Sequence, residues 1–223
     1  MHDPKHDQSR AGFQLERFSF FSDGVFAIAI TLLVIEIKVP ALSELTDHHL
    51  WEMLSEMGFK FVGFLISFGI IGHYWSVHHR IFGYANRITT NLLWINLTFL
   101  LSVVLLPFSS GVLGEYGSIP TMKIPYAVYV CNMVFTGGMN IWLWLYVSNP
   151  KRDLLTRKLS KERISLGLYR GAIIPLVFII SFFLSFYFPV FAILIPLTIP
   201  IALHWGMKGF ERRAELREKR VQA

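Results

Sequence analysis

Arg17-Phe-Ser-Phe-Phe-Ser-Asp-Gly-Val-Phe-Ala-Ile-Ala-Ile-Thr-Leu-Leu-Val-Ile-Glu36 decides how the rest of the chain is read. From Phe18 to Val39 the sequence is apolar and long enough to cross a bilayer, yet it holds a carboxylate, Asp23, well inside the run. An ionisable group in hydrocarbon is expensive and marks a site that needs it. On a helix turning about 100° per residue, Ile28, Thr31, Leu32 and Ile35 fall within about 60° of one line, with Gly24 just before them. Asp23 falls about 140° from Ile28, on the other side. One face is therefore a narrow branched-aliphatic stripe with a single hydroxyl, and another carries the charge. Such a stripe usually packs against helices or lipid. Its other use is to line a pore with a hydrophobic constriction, which gates by dewetting.

Composition sets the class. Of 223 residues, 53% are hydrophobic and only 16% charged, a balance foreign to soluble domains and ordinary for a multi-span membrane protein. Cys131 is the single cysteine, so the chain forms no internal disulfide. Residues 1–15 are mostly polar, unlike a signal-peptide core, and are expected to form an N-terminal cytoplasmic arm.

Outward from the first span, Pro40 is the expected stop, followed by a polar loop over Ala41–His49. A second helix is expected from about Leu50 to Phe82, a third over Leu92–Leu113 with Pro107 inside it, and a fourth over Ile124–Ser148. Gly171–Leu203 has no charge, and as one helix it would be ~50 Å long against a ~30 Å hydrocarbon core. Tyr187-Phe-Pro189 offers a break, giving a fifth span over about Leu166–Phe188 and a sixth over Val190–Met207. The expectation is an all-α membrane protein with a six-helix domain over 16–210 and a basic cytoplasmic tail over 211–223. Of the 21 basic residues, 17 fall on the arm, the turn after the second span, the linker after the fourth and the tail. By the positive-inside rule both termini face the cytoplasm. The net charge of +6 is thus a topology signal, and nucleic acid is not an expected partner.

Asp23 turns away from the stripe, so a structural network is expected for it, with Ser22, His78, Asn91 and Asn96 at matching depth. Asp23→Asn is then expected to destabilise, since breaking a buried charged pair costs ~3–5 kcal/mol in soluble proteins. Arg17 lies about 16 Å below Ile28 near the stripe's line, at the expected cytoplasmic mouth. His78 and His79 are adjacent and diverge on a helix, and no H-E-x-x-H spacing occurs, so no metal site is expected. His73, deeper in the second span, suits a packed residue bonded to a neighbour better than a proton carrier. No nucleophile elbow, P-loop or paired catalytic carboxylates point to an enzyme. Gly114-Glu-Tyr-Gly117 lacks the Thr-Val-Gly-Tyr-Gly run of a carbonyl-loop filter.

Arg17-x-x-x-Phe21-Ser22-Asp23 followed by Ile-x-x-Thr-Leu resembles the signature of the transmembrane protein 175 family. Trp75-x-x-His78-His79-Arg80-Ile-Phe82, Asn96 and Leu106-Pro107-Phe108 extend the resemblance through residue 108. Beyond that it is mainly one of topology. The resemblance implies a potassium-selective, leak-type channel, assembled as a homotetramer in the cell membrane with the first helix lining the pore. It implies Ile28, Leu32 and Ile35 as the constriction and Thr31 as the position linked to K⁺ preference. Arg17, Phe21, Ser22, Asp23, His78 and Asn96 would be the signature network. K⁺ is the permeant ion and no cofactor is implied. The competing classes are a secondary transporter, against which the chain shows no repeated halves, a proton-permeable cation pathway, and a membrane enzyme.

Overall fold

The computed structural model describes residues 4–39, 46–119, 121–156, 159–188, 192, 194–206, 208, 209 and 212. Six α-helices follow in order: α1 (Pro4–Ile35), α2 (Asp47–Glu56), α3 (Gly58–Tyr84), α4 (Thr90–Tyr116), α5 (Ile124–Ser148) and α6 (Lys161–Leu184). A shorter apolar helix, α7, covers Ile195–Gly206 and opens with a 3-10 turn at Ile195–Thr198. No strand occurs among the described residues. Five helices are long and apolar enough to cross a membrane: Gly12–Ile35 of α1, and α3 to α6. Among the described residues, the segment expected as a sixth span provides the shorter apolar helix α7.

Local chemistry explains most boundaries. Pro4 opens α1, where its missing N–H is not needed. Residues 4–15, expected as an arm, carry the same helix onward. The first span stops at Ile35, four residues before the expected Val39. Val39 precedes a proline and is biased away from helical backbone, and the charged Glu36 and Lys38 begin the exit. Pro40 and most of the loop after it lie outside the described residues. Thr89 caps α4 by accepting from the Leu92 N–H at 3.2 Å, and Ser160 caps α6 through the Arg163 N–H at 3.3 Å.

The expected single helix from Leu50 to Phe82 is broken. Met57 sits between α2 and α3 with φ −76° and ψ −1°, and its N–H bonds back to Leu54 at 3.2 Å. The physical reason is a change of environment. None of the residues of α2 is buried, and it carries Asp47, Glu52 and Glu56, whereas α3 runs into the apolar core.

α4 is the central helix. It packs on α1, α3 and α5, while α5 also packs on α6 and α6 on the start of α7. Fully buried Phe99, Val103 and Leu106 of α4 form the middle of the core. Several polar side chains inside it are paired: Ser67 with Ser110 at 2.9 Å and with Tyr129 at 2.8 Å, and Asn132 donating to Ser109 at 3.0 Å. Hydrocarbon offers no alternative partner, so such bonds join membrane helices, each by about 0.6 kcal/mol on average.

At the basic end, the α3–α4 turn is zipped to the α5–α6 linker. Ala85 and Leu155 form an antiparallel bridge, Asn86 N–H bonds Leu154 O at 2.9 Å, and Thr156 N–H bonds Tyr84 O at 2.9 Å. Asp153, with φ 52°, makes the reversal that this pairing needs. Its ion pair with Arg87, 3.8 Å and exposed, adds little. Asp153→Gly and Asp153→Asn should therefore leave the thermal midpoint unchanged in detergent. Asp153→Val should lower it, because a branched side chain in left-handed backbone costs about 1–2 kcal/mol or more. A large loss in Asp153→Asn would mean that the ion pair matters more than the backbone.

Candidate pore-lining surface

α1 has two faces of opposite character. Ala29 and Leu33 are 1% exposed, and Ser22 and Phe26 are buried with them. Ile28, Leu32 and Ile35 are 61%, 37% and 66% exposed, with Gly24 and Thr31 also open. No described residue of the chain covers this stripe. The open face is wider than the stripe, since Phe20, Phe21 and Val34 share it. Thr31 Oγ donates to the carbonyls of Ala27 at 3.0 Å and Ile28 at 2.9 Å. With its one hydrogen turned back onto α1, the hydroxyl faces outward with lone pairs only, as an acceptor.

The opposite edge of α1 is tied to α3 and α4 by a closed set of hydrogen bonds. Asn96 Nδ2 of α4 donates to Ser22 Oγ at 3.0 Å, and Ser22 Oγ donates onward to Phe18 O at 3.1 Å. His78 Nε2 of α3 donates to Asn96 Oδ1 at 2.7 Å, which requires the proton on that nitrogen. Trp75 Nε1, one turn before His78, donates to Asp23 Oδ1 at 2.9 Å. α1–α4, α4–α3 and α3–α1 are thus each bridged once. Ser22 and Asp23 diverge by about 100°, which lets neighbouring side chains reach two different helices. The His78 imidazole lies parallel to the Phe99 ring at 5.7 Å and packs on Phe82 at 4.6 Å, so its orientation is set by rings.

The expected network is therefore divided. Ser22, His78 and Asn96 are joined. Asp23 meets Trp75 in place of His78 or Asn96, and Asn91 is exposed. Arg17 and Phe21 stand on the open face, with the Arg17 guanidinium over the Phe13 ring at 5.7 Å. Trp75 and Phe99 are the residues that sequence reasoning missed as partners. The i, i+3 spacing of Trp75 and His78 was the available signal for the first. His73, away from this set, bonds the Arg170 carbonyl through Nε2 at 3.1 Å.

Against this geometry stand the comparisons with known proteins. The family model described as endosomal/lysosomal potassium channel TMEM175 matches residues 17–107. A potassium channel of Chamaesiphon minutus is 33% identical over 180 residues, spanning 81% of this chain and 86% of that protein. The chain belongs to the TMEM175 family. A potassium channel of Streptomyces collinus is also 33% identical, over 68% of this chain and 76% of its own length. Among solved structures, the lysosomal potassium-selective channel TMEM175 homolog from Chamaesiphon minutus superposes with a TM-score of 0.72 at 27% identity. That match covers 87% of this chain and 97% of the other. The TMEM175 match begins at Arg17 and ends at Pro107, so it contains every residue of the hydrogen-bond set, from Phe18 to Asn96.

The set predicts an order of damage. Asn96→Leu strands both His78 and Ser22 and should lower stability by about 1–3 kcal/mol. Asp23→Asn keeps an oxygen for the Trp75 indole and should cost less than the loss of an ion pair would, at about 1 kcal/mol or below. Trp75→Phe should fall between them. Thermal unfolding of the detergent-solubilised protein checks the ranking. Asp23→Asn matching Asn96→Leu would mean that the carboxylate has a cationic partner elsewhere.

Proposed function

We propose that the chain is a potassium-selective, leak-type channel in which α1 of several copies surrounds a central pathway. One observation carries this reading: the Ile28, Thr31, Leu32, Ile35 stripe is open on the very helix whose other edge is bonded into the subunit. A single α1 cannot enclose a pathway. Membership in TMEM175, whose bacterial relatives are named potassium channels, supplies the ion and the class, which is transport and not enzymatic catalysis.

In this reading a homotetramer stands in the cell membrane, with six spans per subunit, α7 as the core of the sixth, and both termini in the cytoplasm. Closed cyclic symmetry is the usual solution for such a ring. Rings of Ile28, Leu32 and Ile35 stack over ~10 Å of helix rise and form the constriction. Aliphatic rings give an ion nothing to replace its hydration shell, so current stays low until the rings part and water enters. Thr31 is the one side-chain oxygen on the stripe, and its outward lone pairs suit a cation. Ser22, Asp23, His78 and Asn96 hold the ring helix to its scaffold, and Arg17 and Phe21 stand at the cytoplasmic mouth.

Reversal potentials in liposomes under opposed K⁺ and Na⁺ gradients test the conclusion, and a passive current reversing near the K⁺ potential is expected. Ile28→Ala or Leu32→Ala should raise the current, and Thr31→Val should lower the K⁺/Na⁺ preference. Val34→Ala is the control, exposed on the same helix about 120° from the Ile28 line. A Val34 effect equal to the stripe's, or stripe variants that assemble without any change, would defeat the assignment. Slow, saturable flux coupled to a second ion would make the protein a transporter.

Topology has its own check. Reporters fused at residue 223 and inserted near Ser43 should report opposite sides of the membrane. The same side for both would remove the six-span arrangement.

A further inference from the structure

Tyr129, Asn132, Thr136 and Asn140 recur on one face of α5 and are all buried. Three of them have partners: Tyr129 with Ser67, Asn132 with Ser109, and Thr136 with the Asn132 carbonyl at 2.9 Å. Asn140 is 0% exposed, and neither its Nδ2 nor its Oδ1 has a hydrogen-bond partner among the described residues. An amide left bare in a protein interior is destabilising by more than most native structures tolerate.

A main-chain carbonyl without its i+4 donor lies beside it. Pro175 sits inside α6 and has no N–H, so the Gly171 carbonyl, four residues earlier, loses its helical donor. Gly171 faces Asn140: a Cβ built on Gly171 would lie 2.9 Å from Asn140 Oδ1. Gly137, one turn before Asn140, faces the same stretch, with a built Cβ at 3.1 Å from the Gly171 carbonyl oxygen and 2.5 Å from Pro175 Cγ. Two glycines thus let α5 and α6 approach closely where an orphaned amide meets a carbonyl released by proline.

We propose that the α5–α6 interface binds an ordered water molecule between the Asn140 side-chain amide and the main-chain carbonyl of Gly171. The donor set selects the ligand. Nδ2 needs an acceptor, while Oδ1 and the Gly171 carbonyl need donors, and water supplies both at once. A metal cation would leave Nδ2 unpaired and finds only two neutral oxygens here, far fewer than its usual shell. Ordered water is also a common way in which carbonyls freed by proline are satisfied inside membranes. This site is internal to one subunit and stands apart from the α1 surface, so it holds or fails independently of the proposed pore.

Radiolytic hydroxyl labelling of the full chain in lipid nanodiscs tests it, because label reaches side chains beside bound water even where bulk solvent does not. Leu143 and Ile174 lie one turn from Asn140 and Gly171 and are both 0% exposed. They should take up oxygen in the unmodified protein and lose that label in Asn140→Leu and in Gly171→Ala. Ser110→Ala, in a separate part of the polar interior, should keep it. Asn140→Leu should also lower the thermal midpoint, by about 3 °C or more, since the Gly171 carbonyl then has no partner. An amide truly without a partner would be improved by an apolar replacement. Absence of label on Leu143 and Ile174 in the unmodified protein, or a raised midpoint in Asn140→Leu, overturns the proposal.

Discussion

The set of hydrogen bonds through Ser22, Asn96, His78, Trp75 and Asp23 is the constraint on which the arrangement depends. α1 must be held firmly by its own subunit and still leave one face bare. Apolar packing alone is a weak tool for this, because lipid tails compete for aliphatic surface as well as helices do. Directional bonds do better. Each of the three helix pairs is bridged once, so α1 cannot slide or rotate without breaking a bond that hydrocarbon will not replace. Small residues assist: Ala29 lets α1 come close to its neighbours on the side where Leu33 is buried.

The same economy governs the rest of the interior. α4 and α5 carry serines, asparagines and a threonine in the buried interior, and Asn96, Ser109, Ser110 and Asn132 each meet a polar side chain of another helix. Prolines inside α4 and α6 are accepted because the neighbouring helices shield the carbonyls they release. In α6 that tolerance leaves the Gly171 carbonyl beside Asn140, so polar demand exceeds local supply at the α5–α6 contact.

Much of the fold was legible because the bilayer imposes a length. Uncharged runs of the required span between polar segments marked α4 and α5 to within a few residues, and the Ile124–Ser148 reading matches α5 at both ends. The break at Met57 was not legible, since Leu50–Phe82 keeps a helical pattern throughout and only the loss of burial in α2 separates its two parts. The same holds for the last segment, where Pro196 and Pro200 disturb a run whose composition is otherwise that of a span.

The sequence by itself determined the class, the approximate spans and the two-faced character of α1, because hydrophobicity, length and helical period are properties of a segment alone. It also put Ile28, Thr31, Leu32 and Ile35 on one line, since residues that share a helix keep their angular relation in any tertiary context. Only the tertiary structure decided which partner each polar group takes. Asp23, His78 and Asn96 lie at similar depth, and depth could not separate them. It is the rotation of α3 that turns the Trp75 indole to the carboxylate and His78 toward α4. The outward acceptor character of Thr31 is local by contrast, because its one hydrogen goes to carbonyls three and four residues earlier on the same helix.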